Sequence, residues 1–125
     1  MCIRDSVEAA NAVAGILDAH TGLIGVLATG HLCFGAIDRA RGDVARTQGR
    51  LDDAIECYER AIDTEEAVGA RIYANRSRLG LALALAARDA DGDRERVDFL
   101  APAIIRVAEE LGTPMVADAA RALVP

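Results

Sequence analysis

Two segments of the chain come close to patterns that bind phosphate or calcium ions. Residues 25–32 read GVLATGHL and have the glycine spacing of a phosphate-binding loop, but His31 and Leu32 stand where that loop needs lysine and then serine or threonine. All 14 basic residues are arginine, so the chain offers neither a phosphate-loop lysine nor a Schiff-base amine. We therefore interpret residues 25–32 as a glycine-rich connection.

The second segment carries acidic residues at alternate positions. Asp89, Asp91 and Asp93 have the spacing of the first three ligands in an EF-hand loop. Arg94 stands where that loop requires glycine, and Leu100 stands where it requires a bidentate glutamate. We interpret residues 89–93 as a solvated loop in which Asp91 or Asp93 caps the next helix.

Histidine and cysteine give no stronger signal. His20, His31 and Cys33 offer only an H-x-C pair, whereas a zinc site needs about four ligands in closely spaced pairs. Neither Cys33 nor Cys57 lies in a recognisable nucleophile setting, and the three widely spaced cysteines favour a reducing cytoplasm over a disulfide framework. We predict no catalytic, cofactor-binding or metal-binding residue in this chain and no cofactor.

The composition narrows the classes of partner. The chain has 125 residues, enough for one domain, and a formal net charge of −6. That charge repels phosphate backbones, and an aromatic content of 3% leaves few rings on which bases could stack, so we do not expect nucleic-acid binding. The apolar run at residues 22–28 is too short to span a bilayer, so we do not expect membrane insertion.

Apolar residues that recur at steps of three and four predict a chain of helices. The predicted helices cover residues 7–19, 31–48, 51–68, 70–88, 94–111 and 114–123, and residues 21–30 are predicted to form a loop. Gly69 is expected to end its helix in the left-handed conformation. Pro102 is expected to kink or restart the fifth helix near Ala101.

The segment from Gly42 to Gly69 resembles one unit of the tetratricopeptide repeat. The small and aromatic residues of that family's pattern fall at Gly42, Gly49, Ala54, Tyr58 and Ala61. A second, degenerate unit begins 38 residues later, with Gly80 in the position of Gly42 and with Val97, Ala101 and Ile104 in the positions of Ala54, Tyr58 and Ala61. The resemblance implies an all-α fold in which antiparallel helix pairs stack as a short α-solenoid.

A more particular resemblance extends over most of residues 14–123. Runs such as CFGAID at 33–38, GRLDDA at 49–54 and ELGTP at 110–114 look like the C-terminal repeat region of large bacterial signalling ATPases. Those proteins join such a region to an ATPase module and to a nucleotide cyclase or a LuxR-type helix-turn-helix domain. The resemblance implies a non-catalytic sensor scaffold, cytoplasmic, within a signalling or transcriptional regulator.

Two alternatives to this scaffold stay open. In the first, the chain is a fragment of a multidomain enzyme whose cyclase or ATPase domain lies outside it. In the second, it is a free-standing oligomerisation adaptor that self-associates. Residues 1–6, MCIRDS, resemble a translated adaptor remnant, so we expect residues 7–125 to form a single repeat domain cut from a larger protein.

The repeat resemblance also indicates which residues contact a partner. In tetratricopeptide proteins the first helix of each pair lines the concave groove, and the groove-facing positions correspond to Arg39, Asp43, Arg46 and Ser77. Arg39 and Arg46 are expected to pair with carboxylates of a protein, a peptide or another domain of the same polypeptide, while Asp43 limits the charge preference. The alternative is that these residues form a solvated face or pack on upstream repeats.

Overall fold

A computed structural model describes the backbone of residues 3–26 and 33–125 and the side chains of residues 6–26 and 34–125. His31 and Cys2 lie outside these ranges, as does the side chain of Cys33. The described chain is mostly helical, which confirms the predicted all-α class. In chain order its elements are α1 (Ile3–Asp18), β1 (Ile24–Val26), β2 (Cys33–Ala36), α2 (Ile37–Thr47), α3 (Leu51–Ala67), α4 (Arg71–Arg88), α5 (Asp93–Glu110) and α6 (Pro114–Arg121).

Each helix packs against the next one along the chain, and short connections between α2 and α6 turn the chain back each time. Helix α4 also contacts both α2 and α6, so these three helices lie side by side. Gly69 and Gly112 follow α3 and α5 with φ angles of 72° and 68°, which confirms the predicted left-handed helix end at Gly69. Within the described residues, no helix combines the length and the apolar character needed to cross a membrane.

The ring of Tyr58 on α3 is fully buried and lies against both α2 and α4. A Cβ atom placed on Gly42 of α2 would lie 2.8 Å from this ring, and one placed on Gly80 of α4 would lie closer still. Real Cβ atoms do not approach other atoms this closely, so both positions require glycine. The two glycines that the sequence placed in equivalent positions therefore contact the same aromatic ring.

The remaining core consists of small and branched side chains. The residues that the sequence matched between the two units are all fully buried: Ala54, Tyr58, Ala61, Val97, Ala101 and Ile104. Cys57 is a free, buried thiol that packs as a small side chain in this core.

Of the kink or restart predicted near Ala101, the restart was wrong, because α5 is one helix from Asp93 to Glu110 with Pro102 inside it. Pro102 removes the hydrogen bond that would reach the carbonyl oxygen of Asp98. Both Pro102 and Asp98 lie on the exposed side of α5, where water can bond that oxygen, so the helix tolerates the proline.

The predicted helix over residues 31–48 was also wrong in its first part. Residues 33–36 form strand β2, which pairs antiparallel with β1 in the register Ile24 with Ala36 and Gly25 with Gly35, and helix α2 begins only at Ile37. Part of the predicted loop is therefore a strand of a small hairpin. Residues 27–30 of the predicted loop and residues 31–32 of the predicted helix lie outside the described part of the chain.

Asp38 fixes the segment before the hairpin to α2. Its carboxylate accepts hydrogen bonds from the Thr21 hydroxyl at 2.7 Å, the Gly22 amide at 2.9 Å and the Arg41 guanidinium at 2.8 Å. Burial disfavours the charged form, but these three donors outweigh it and hold the pKa of Asp38 below its ordinary value. Arg41 also bonds Asp18 at 3.0 Å, which ties the end of α1 to α2.

The acidic segment 89–93 is organised by an ion pair between the partly exposed Arg88 and the buried Asp93. Asp93 is 2% exposed, receives two hydrogen bonds from Arg88 at 2.6 and 2.8 Å, and accepts a third from the Ala90 amide at 3.0 Å. The expected cap is thus replaced by this network, since the residue before α5 is Gly92 and no side chain caps it. Arg88 also bonds Asp52 at 2.8 Å and so joins α4 to α3 and α5.

Candidate partner-binding groove

A groove of about 290 Å³ runs across the three helices that lie side by side, and we call it the α2–α4–α6 groove. Helix α2 contributes polar residues, whereas α4 and α6 contribute mainly apolar ones. The lining residues are Arg39, Asp43, Arg46, Arg76, Leu79, Gly80, Leu83, Met115, Val116 and Ala119.

Asp43 and Arg46 meet at the hydroxyl group of Tyr58. The Tyr58 hydroxyl donates to Asp43 Oδ1 at 2.5 Å and accepts from Arg46 Nε at 3.2 Å. Burial, reinforced by the Asp43 charge, raises the pKa of Tyr58, so the hydroxyl stays protonated and remains a donor. The side chains of Asp43 and Arg46 are 48% and 38% exposed, so both remain accessible to a partner.

Arg39 forms the inner wall of the groove and also holds the hairpin. Its guanidinium donates to the Phe34 carbonyl oxygen at 2.6 Å, lies 3.7 Å from the Glu65 carboxylate and sits 5.6 Å from the centre of the Tyr73 ring. Only 18% of the Arg39 side chain is exposed. Arg39 therefore contributes positive charge to the groove but is mainly engaged within the fold.

Ser77 does not line the groove, which corrects the sequence-based assignment. It is fully buried, and its hydroxyl donates to Glu65 Oε2 at 2.7 Å. Glu65, also fully buried, accepts a second hydrogen bond from the Ala36 amide at 2.9 Å. Ser77 thus supports the buried carboxylate that anchors strand β2, and a partner cannot reach it in this arrangement.

Sequence reasoning missed the groove residues on α4 and α6. Arg76, Leu79, Gly80 and Leu83 follow the spacing i, i+3, i+4 and i+7, which places them on one face of α4. That spacing was a usable signal, but the repeat alignment pointed one residue further, to Ser77. Met115 on α6 is 85% exposed, and nothing in the sequence alone relates it to α2.

The charge of the groove is opposite in sign to that of the chain. Three arginines, Arg39, Arg46 and Arg76, face one carboxylate, Asp43, while the whole chain has a net charge of −6. Arg76 is exposed and has no salt bridge to any residue of the described ranges. The arrangement suits carboxylate groups next to apolar side chains, because guanidinium groups bind carboxylates while Leu79, Leu83 and Met115 offer apolar contact.

No protein-family model, curated protein or solved structure matches this chain. The groove and the resemblances noted in the sequence therefore carry the functional argument. Among the described side chains, no three or more histidine, cysteine, aspartate or glutamate residues are grouped so that they could hold a metal ion.

Proposed function

We propose that this chain is a non-catalytic, tetratricopeptide-like interaction scaffold whose α2–α4–α6 groove binds a protein or peptide segment. The observation that carries the proposal is the groove itself, in which accessible cationic side chains border the partly exposed Leu79 and Leu83 and the exposed Met115. The helices pack in sequence, and Gly42 and Gly80 hold equivalent positions against Tyr58, which supports a stacked repeat arrangement.

The chemistry of the groove defines the partner segment. It carries carboxylates that pair with Arg46 and Arg76 and apolar side chains that cover Leu79, Leu83 and Met115. Such a segment belongs to a separate protein or to another domain of the same polypeptide. Asp43 favours partners that do not place a carboxylate directly against it, because like charges at short range repel.

The biological setting follows from the resemblance to the repeat regions of bacterial signalling ATPases. In that setting the chain is the sensor scaffold of a cytoplasmic signalling or transcriptional regulator, and catalysis belongs to other domains. The groove then couples the partner segment to those domains.

A peptide titration tests the groove. We expect a fluorescein-labelled peptide of alternating leucine and glutamate to bind the purified chain, which raises its fluorescence anisotropy. The affinity should fall as salt is added, because salt screens the attraction between arginine and glutamate. The double variant Arg46→Gln/Arg76→Gln should weaken binding about tenfold, equivalent to about 1.4 kcal/mol. Arg94→Gln on α5 removes an exposed arginine outside the groove and serves as the matched control.

Two results would overturn the peptide-binding proposal. One is equal binding by the double variant and the Arg94→Gln control. The other is equal binding of a peptide in which lysine replaces every glutamate, because the groove charge would then play no part in recognition.

A second candidate function, self-association, is favoured by a separate observation. Large apolar side chains at the α1 and hairpin end are 42–65% exposed: Val13, Ile16, Leu23, Val26 and Phe34. Ala10 of α1 is buried, and α1 packs on α2, whereas the exposed side chains of α1 and of the hairpin have no covering element among the described residues.

Sedimentation equilibrium tests self-association. The wild-type chain should form a concentration-dependent dimer that Val13→Gln/Ile16→Gln abolishes, while Phe99→Gln on α5, which also removes an exposed apolar side chain, leaves the dimer intact. A wild-type chain that stays monomeric at every concentration would exclude this function.

A further inference from the structure

A second cleft, of about 410 Å³, lies where the first turns of α4 pass between α3 and α5. It shares no lining residue with the α2–α4–α6 groove. Its volume lies in the range of small-molecule sites in proteins. We call it the α3–α4–α5 cleft, and its polar side chains are Glu66, Arg71, Asn75, Arg78 and Arg106.

Three arginines give this cleft an excess of positive charge. Arg71 and Arg106 share the carboxylate of Glu110, each at 3.0 Å, and Arg78 pairs with Glu66. Three guanidinium groups thus face two carboxylates. The side chains of Arg71 and Arg106 are 62% and 67% exposed, and exposed ion pairs are weak, so both arginines can turn toward a bound anion.

Asn75 lies at the floor of the cleft with an unused acceptor. It is 2% exposed, and its Nδ2 donates to the Ile104 carbonyl oxygen at 3.0 Å, which orients the amide. Its Oδ1 is buried and has no hydrogen-bond partner among the described residues. Buried polar atoms nearly always have a partner, so this acceptor is available to a group bound in the cleft. Because Oδ1 only accepts, such a group must be a donor, for example a hydroxyl.

We propose that the α3–α4–α5 cleft binds a small molecule that carries an oxyanion and a neighbouring hydroxyl group. Arg71, Arg78 and Arg106 hold the oxyanion, and Asn75 Oδ1 accepts the hydroxyl proton in a hydrogen bond. A hydroxy acid and a sugar phosphate share this chemistry. The site lies apart from the proposed partner groove, so the scaffold can bind an effector and a partner at the same time.

An NMR titration of the isotope-labelled full chain tests the proposal. Glycerol phosphate and lactate distinguish phosphate from carboxylate as the oxyanion, and glycerol provides the hydroxyl groups alone. At millimolar concentration we expect at least one of the two anions to shift the signals of Arg71, Asn75 and Arg106, and we expect glycerol to leave them unchanged. Methyl phosphate, which lacks the hydroxyl, should bind more weakly than glycerol phosphate.

Variants locate the binding. Arg71→Gln/Arg106→Gln should weaken the binding of the better anion at least tenfold, whereas Arg94→Gln and the groove variant Arg46→Gln/Arg76→Gln should bind it as the wild type does. The proposal is overturned if neither anion shifts the cleft signals, or if the cleft variant binds the better anion as tightly as the wild type does. Equal affinity for methyl phosphate and glycerol phosphate overturns the role of Asn75. Anion binding in the cleft and peptide binding in the groove are tested by different variants. Failure of one proposal is therefore distinguishable from failure of the other.

Discussion

The ring of Tyr58 occupies the space in which a side chain on Gly80 would lie. Gly42 lies against the same ring from α2, so one aromatic side chain of α3 spaces two neighbouring helices. Because α2 and α4 form two walls of the α2–α4–α6 groove, this contact sets the groove's width.

The first prediction concerns this close approach. Gly80→Ala should destabilise the protein, because overpacking a well-filled core costs about 1–3 kcal/mol and Gly42 blocks the movement of the Tyr58 ring away from residue 80. The new Cβ would lie closer to the ring than real Cβ atoms approach their neighbours, so we expect a cost near the upper end of this range, of which the gain in helix propensity, about 1 kcal/mol, offsets only part. Gly15→Ala is the control: its new methyl group meets no atom within 4 Å, and we expect about 0.5–1 kcal/mol of stabilisation. Urea unfolding of both variants measures the difference, and equal stabilities would refute the packing account.

The second prediction concerns the buried carboxylate that holds the hairpin. Ser77→Ala leaves Glu65 without one of its donors, which should cost about 1–3 kcal/mol in the free energy of unfolding. Thr64→Ala removes an exposed hydroxyl that bonds within its own helix, so the free energy should change by no more than about 0.5 kcal/mol. If thermal or urea unfolding shows the same effect for both variants, the Ser77 hydrogen bond does not stabilise the fold.

The third prediction is a pH dependence at Asp93. The hydrogen bonds from Arg88, opposed by burial and assisted by the Ala90 amide, lower the pKa of Asp93 from 3.8 to about 2. Since the folded-state pKa is lowered, the ionised carboxylate stabilises the fold fully above 3.8 and loses this effect as the pH falls toward about 2.

In Asp93→Asn the free energy of unfolding should therefore change less between these two pH values than it does in the wild type. Asp91→Asn, which alters an exposed neighbour, should keep the wild-type change. Thermal unfolding at neutral and acidic pH checks both variants, and identical pH profiles for Asp93→Asn and the wild type would contradict the prediction.

The helices after residue 50 were predictable from the sequence because several signals agree. Apolar residues recur with helical spacing, and Gly69 and Gly112 mark helix ends with the left-handed conformation that glycine favours. The hairpin was not predictable in this way. Glycines and β-branched residues around Gly25 have no clear period, and the strand before Ile37 depends on Glu65, which lies about 30 residues away in sequence and bonds the Ala36 amide.

The groove was predictable only on α2. Arg39, Asp43 and Arg46 share one helix face, and the structure places all three along the groove. Ser77 was misplaced because its burial depends on a carboxylate from a different helix, which local spacing cannot reveal. Met115 was missed because its neighbours across the groove come from α2 and α4 through packing alone.

Binding of a partner segment in the α2–α4–α6 groove can be located with paramagnetic NMR and a spin-labelled leucine–glutamate peptide. We predict loss of signal intensity for the methyl groups of Leu79, Leu83 and Met115, with unchanged signals for Val68 and for the Phe99 ring, which are exposed but lie outside the groove. Uniform signal loss over the surface, or loss confined to residues outside the groove, would show that the peptide does not bind in the groove.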